Sequence, residues 1–259
     1  MNKEFDPVSP TDVFREPWLR ELIGDVDMPA RKIRPSRYSV TGYAPTSKGT
    51  KAQDAESSLE HDFLTLLEYD RRVERYVAQP FTIHWRDKDG KKRRYTPDVI
   101  VKYGHGAILD NPNLRTTIFE VKPLAVLKAE WEELKPKFRS AIGWGKEFGC
   151  LFHLVTEKDI RTPYLKNVRF LLDYRSRNLP DRRDLISARQ HLIATTLFKL
   201  QSTTPRALLQ AMSSDPQHQA ELIPWMWNLV NQEYIGVNLH KPLTMTSVIW
   251  STEHIKHLL

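Results

Sequence analysis

The sequence predicts an α/β protein: a mixed sheet flanked by helices, with a smaller domain after it. Three observations point there. Segments of helical and strand-like patterning alternate through residues 57–156, a polar basic run at Tyr174–Arg183 carries no apolar period, and the chain beyond it is helical until a final strand-like pair. At 259 residues the chain exceeds one average domain, so a larger and a smaller domain are expected.

The elements follow in order. Residues 1–50 hold six of the 17 prolines and a basic cluster at Arg31, Lys32, Arg34 and Arg37, which reads as an irregular arm. Ser57 then opens a helix whose apolar face carries Leu59, Phe63, Leu66 and Leu67. Phe81–Arg86 and Tyr95–Val101 read as strands joined by a tight turn at Asp89-Gly90, and Thr116–Val121 completes a meander. Pro123 starts a helix spaced by Trp131, Leu134, Phe138 and Ile142, in which Pro136 should force a kink or a break. Cys150–Thr156 returns to strand. The expected divisions are an arm over 1–50, a first domain over 51–172, a linker over 173–183 and a second domain over 184–259.

In that second domain, helices are expected near Leu185–Leu200, from Pro205 with Thr204 as its cap, and over Gln219–Gln232, which contains Pro224. Tyr234–Leu239 and Leu243–Trp250 form a hairpin. Three helices and a hairpin suggest a winged helix. Trp225, Trp227 and Trp250 read as its core, and His254 and His257 as surface.

Composition narrows the function. Lys and Arg total 39 against 32 acids, a net charge of +7 that favours a polyanionic partner, most simply nucleic acid. The single cysteine, Cys150, excludes an internal disulfide and a cysteine-rich zinc site. No stretch is long and apolar enough for a membrane helix, and the first residues lack a signal-peptide core, so a soluble cytoplasmic protein is expected.

The chemistry concentrates in Thr96-Pro97-Asp98-Val99 and Phe119-Glu120-Val121-Lys122. Strand alternation sends Glu120 and Lys122 to one face and Phe119 and Val121 to the other. Asp98 heads the neighbouring strand of the meander, beside Glu120. Two carboxylates on adjacent strands suit Mg²⁺, which keeps several waters and meets phosphate, and Lys122 can orient water or offset developing charge. Charges on otherwise apolar strands need such compensation. On the first helix, at about 100° per residue, Glu60 falls inside the arc of Leu59, Phe63, Leu67 and Leu64. Two readings of Glu60 stand: a third carboxylate of the site, or a capping box with Ser57.

Ser-Leu-Glu60-His-Asp-Phe-Leu, Gln79-Pro80, Tyr-Thr-Pro-Asp98, Phe-Glu120-Val-Lys122-Pro and Leu154-Val155-Thr156-Glu157 before Ile160-Arg161, in that order, resemble the TnsA-like endonuclease subunit of heteromeric transposases. The likeness runs from about Arg31 to Arg175. It implies the restriction-endonuclease-like fold of the PD-(D/E)XK superfamily, catalytic residues Glu60, Asp98, Glu120 and Lys122, and a metal set of Glu60, Asp98, Glu120 and Val121. Mg²⁺ is the implied cofactor, with Mn²⁺ as a substitute. The implied reaction is hydrolysis of the non-transferred strand at the 5′ ends of a transposon, so that the element is excised in cut-and-paste transposition. The implied partners are double-stranded DNA at the transposon ends, a TnsB-like transposase and an ATP-dependent TnsC-like regulator, which the C-terminal region contacts. Some relatives carry Gln at the position of Glu120; this chain has Glu. The competing readings are a catalytically idle module bridging DNA and transposase, and a stand-alone restriction-type nuclease.

Arg86, Lys88, Lys91, Lys92, Arg93 and Arg94 stand against only Asp87 and Asp89 at the first hairpin. Such a cluster is either a phosphate contact or a solvated turn.

Overall fold

The computed structural model describes residues 17–23, 42–44, 48, 53–55, 57–175 and 183–259. The chain divides into two compact units, Met1–Ile160 and Arg161–Leu259. In the first, the described elements are α1 (Pro17–Ile23), β1 (Gly42–Ala44), β2 (Gln53–Ala55), α2 (Ser58–Tyr69), β3 (Val73–Ala78), β4 (Ile83–Arg86), β5 (Lys92–Tyr95), β6 (Val99–Tyr103), α3 (His105–Asp110), β7 (Thr117–Val121), α4 (Leu124–Ala129), α5 (Trp131–Glu147), β8 (Leu151–Val155) and α6 (Glu157–Ile160).

The main sheet has the order β3-β6-β7-β8, antiparallel except where β7 and β8 run parallel across the α4–α5 crossover. It is the expected mixed sheet, and with its flanking helices it fits a nuclease-like fold. One face carries Ile100 and Ile118, which pack with Ala141 and Trp144 of α5. The other carries Phe119, whose ring meets Phe63 of α2 at 5.0 Å. The two helices therefore cover opposite faces of β7.

Several expectations are corrected. The Tyr95–Val101 strand divides at Thr96-Pro97: β5 pairs with β4 in a separate two-stranded ribbon, and β6 joins the main sheet. Proline lacks the N–H a ladder needs, which makes it the point of division. β3 escaped the sequence reading because a register shift between Val73 and Arg75 breaks strict alternation and lets Val73 and Tyr76, three apart, both be buried. The turn at Asp89-Gly90 is present, but the loop is wider than a two-residue hairpin. It closes through the Asp87 N–H donating to the Lys91 carbonyl at 3.1 Å, with Gly90 at φ 76°. Pro136 lies inside an unbroken α5; the break falls at Glu130, between α4 and α5. The missing Pro136 N–H orphans only the carbonyl of exposed Glu132 in the first turn, where solvent can meet it.

The arm is not irregular throughout. Leu19 of α1 is fully buried and joins Phe81, Ile83, Tyr95 and Trp144 in the core. Arg31, Lys32, Arg34 and Arg37 lie outside the described residues.

The second unit comprises α7 (Pro163–Leu172), α8 (Arg183–Leu200), β9 (Ser202–Thr203), α9 (Pro205–Met212), α10 (Pro216–Asn231), β10 (Ile235–Val237), β11 (Ile249–Ser251) and a 3-10 segment at Glu253–Leu258. The hairpin β10–β11 is joined by β9 into a three-stranded antiparallel sheet. Thr204 caps α9 as expected, its Oγ1 accepting the Ala207 N–H. α10 starts three residues earlier than expected because Asp215 caps it. The linker expected at 173–183 falls within this unit, since α7 belongs to it: Phe170 meets Trp227 edge-on at 5.3 Å, and Asn167 binds the backbone of Leu239 and Lys241. Trp225 and Trp227 are buried, whereas Trp250 is 40% exposed and lies across Gly236, where any side chain would collide with its ring. Among the described residues, no helix is long and apolar enough to cross a membrane.

Candidate active site

Glu120 is the centre of the site. It is 1% exposed on β7, and register explains its neighbour: Val99 pairs with Phe119, so Asp98, one residue before β6, stands across from Glu120 on the α5 side of the sheet. Asp98 Oδ2 accepts the Val121 N–H at 2.7 Å, which fixes one carboxylate against the strand that carries the other. Lys122, two residues on and so on the same face, brings Nζ to 3.4 Å from Glu120 Oε1. The β7 strand ends in the Lys122 N–H donating to the Val155 carbonyl, and Glu157 accepts the Leu124 N–H at the start of α4. The part of the motif around Glu157 therefore anchors the turn that follows Lys122.

The charges are out of balance. Burial, followed by the nearby Glu120 and Glu60 carboxylates, pushes the Asp98 carboxyl well above its ordinary range, although Lys122 and the Val121 amide pull it down. Burial alone would lower Lys122, but Asp98, Glu120 and Glu60 outweigh it and raise it. Lys122 is thus held in its ammonium form, suited to holding an anion.

Two residues of the site were missed in the sequence. Lys137 of α5 places Nζ 2.8 Å from Glu120 Oε1, closer than Lys122, and 4.7 Å from the centre of the Tyr95 ring. Tyr95 donates its hydroxyl to Glu120 Oε2 at 2.6 Å, and burial, then Glu120, holds the phenol well above its usual range as a donor. The signal for Lys137 was present. The spacing of Trp131, Leu134, Phe138 and Ile142 centres the apolar face of α5 roughly 50° away from the face actually buried, which holds Phe138, Ala141, Trp144 and Gly145. Trp131 and Ile142 are exposed, and Lys137 lies within the buried arc.

Glu60 shows both of its expected aspects. Ser57 caps α2, its Oγ accepting the Glu60 N–H at 3.2 Å and donating to Glu60 Oε1 at 2.9 Å. This differs from a capping box, in which the carboxylate would accept the Ser57 amide. Its charge nonetheless reaches Asp98 and Lys122.

Among the described residues no three His, Cys, Asp or Glu side chains close on one point as a ready metal cage, so Glu60, Asp98 and Glu120 do not form one. The donor set still fits Mg²⁺, which takes one or two carboxylates and keeps its waters. Asp98 and Glu120 supply two, and the raised Asp98 marks a buried excess of negative charge that a divalent cation would relieve.

Residues 70–157 match the family model described as TnsA-like endonuclease N terminal, and residues 159–239 match that described as TnsA endonuclease C terminal. Asp98, Glu120 and Lys122 lie within the first match; Glu60 precedes it. No curated protein matches the chain.

Proposed function

The chain belongs to the TnsA-like endonuclease family, and from that premise we propose that it is the metal-dependent endonuclease subunit of a transposase, hydrolysing the non-transferred strand at transposon 5′ ends. The observation that carries the reading is the opposition of Asp98 and Glu120 on one face, with the Lys122 ammonium beside them. Asp98 and Glu120, with the Val121 carbonyl and Glu60 at the margin, would hold Mg²⁺, or Mn²⁺ in its place. Such an ion polarises the scissile phosphate and makes a water more acidic.

The chain's own residues prepare that site. Tyr95 and Lys137 grip both oxygens of Glu120, so its carboxylate is oriented before substrate arrives. The Val121 N–H does the same for Asp98. Lys122 meets charge that develops on the phosphate. In the second unit, three helices α8–α10 and a sheet of order β9-β11-β10 support a winged-helix reading. A TnsB-like transposase and a TnsC-like regulator are the proposed partners, the second unit contacting the regulator. Cleavage mapped strand by strand on end-containing DNA, with and without those partners, tests the reading. Cuts confined to the 5′ ends and dependent on the partners are expected; efficient cutting by the chain alone would indicate a stand-alone nuclease.

A further inference from the structure

The β4–β5 ribbon gathers most of its basic residues on one face and at its turn. Its register opposes Ile83 to Tyr95, His84 to Arg94, Trp85 to Arg93 and Arg86 to Lys92. Opposed residues share a face, and the face alternates along the ribbon. Ile83 and Tyr95 are buried and mark the inner face, on which Trp85 and Arg93 also fall. His84, Arg86, Lys92 and Arg94 therefore share the outer face. Arg86 and Lys92 are like charges directly across from each other, and Arg86 also donates to the Gly90 carbonyl at 3.0 Å, so positive charge gathers at the turn end of the ribbon.

Asp87 is engaged at the turn. Asp87 Oδ2 accepts Arg93 Nε at 2.8 Å, and Oδ1 accepts the N–H groups of Asp89 and Lys91 at 3.0 and 2.9 Å, so Asp87 organises the turn and pairs with the inner-face arginine. Lys88 and Lys91 are exposed at that turn. The foot of the ribbon is Tyr95, whose hydroxyl reaches Glu120. At about 3.4 Å per residue, Arg94 and Lys92 lie roughly 3 and 10 Å along β5 from Tyr95, and Lys91 roughly 14 Å. Duplex DNA rises about 3.4 Å per base pair, so this length matches about four base pairs.

We infer that the outer face of the β4–β5 ribbon, formed by Arg86, Lys92 and Arg94 with Lys88 and Lys91 at its turn, is a backbone-binding surface for the duplex DNA next to the Asp98–Glu120 site. The choice of DNA as the polyanion rests on the endonuclease reading. The surface reads no sequence; it sets where along the duplex the site falls.

The test is binding of the full chain to a short labelled DNA duplex without divalent metal, followed by fluorescence anisotropy from about 50 to about 200 mM salt. Replacing Arg86, Lys92 and Arg94 together with Gln should weaken low-salt binding by roughly 10-fold or more and flatten the slope of log affinity against log salt by about 2 to 3, since each phosphate contact contributes about 0.9. The variant should remain folded at the temperature of the titration, read by circular dichroism. Arg86→Lys with Arg94→Lys should keep the slope. An unchanged slope in the Gln variant overturns the inference, as does a wild-type chain that shows no salt-dependent duplex binding. Cleavage is not read in this experiment. A failure of the endonuclease reading would instead appear as absent cutting by the assembled complex with the salt slope intact.

Discussion

The two units bury polar side chains to the same depth and for different ends. In the second, Asn228 and Asn167 are 0% and 4% exposed. Asn228 donates to the Tyr174 carbonyl and accepts from Gln190 and Gln232, while Asn167 donates to the Leu239 and Lys241 carbonyls and accepts the Leu243 N–H. These are neutral groups with their partners in place, the ordinary condition for burying polarity. In the first unit, Glu120 is 1% exposed and Asp98 is driven out of its carboxylate range by burial and by neighbouring carboxylates. A satisfied amide stabilises the unit that contains it; a crowded carboxylate works against it.

Asp98→Asn separates the two cases with the largest effect. The amide oxygen still accepts the Val121 N–H, so the fold should stand while 5′-strand cleavage by the assembled complex falls by roughly 10³-fold or more, read in single turnover. The same variant should change the pH profile of the metal-free chain. Burial and the neighbouring carboxylates hold the folded Asp98 carboxyl above its ordinary range, so the native state holds that proton more tightly and stability is lost as pH rises from the ordinary carboxylate range through the raised value. Denaturant melts across that range should show the slope in the wild type and less of it in Asp98→Asn. Lys122→Ala should slow cleavage by roughly 10²-fold without loss of metal affinity, because the ammonium acts on the phosphate. A wild-type rate would reduce Lys122 to a strand-end charge.

The opposite pattern is expected in the second unit. Asn228→Ala removes the partner of the Tyr174 carbonyl and one partner of the Gln190 and Gln232 amides and should cost about 1–3 kcal/mol in chemical denaturation, with cleavage by the assembled complex unchanged. Glu60→Gln is the smallest and most discriminating change. Gln keeps the acceptor for the Ser57 hydroxyl, so stability should move by less than about 0.5 kcal/mol. Cleavage should fall by roughly 10-fold if the charge serves the site, and undiminished cleavage would leave Glu60 as a cap alone.

How far this was legible in the sequence follows from which signals are local. Strand alternation placed Glu120 and Lys122 on one face and Asp98 beside them, because two-residue periodicity depends on nothing distant. The bulge in β3 and the division at Pro97 were missed or misjudged because each is decided by pairing: Val73 and Tyr76 share burial only through a register shift, and β5 leaves the main sheet for β4. Lys137 and Tyr95 were missed for a related reason. Their partner is Glu120, 17 and 25 residues away, and only the packing of α5 and the ribbon against β7 brings them there. The division into compact units falls at Ile160–Arg161, ahead of the polar run near Tyr174, because α7 packs against α10, a contact between residues far apart in the chain.

The most direct test of the central claim is the melting temperature of the wild type and of Asp98→Asn at neutral pH, each with and without Mg²⁺. If the Asp98–Glu120 pair is a cation site that strains the metal-free fold, Mg²⁺ should raise the wild-type melting temperature by several degrees. Asp98→Asn should melt higher than the metal-free wild type and respond little to Mg²⁺. A wild type indifferent to Mg²⁺, together with an Asp98→Asn protein that melts lower, would make these carboxylates structural and contradict the account.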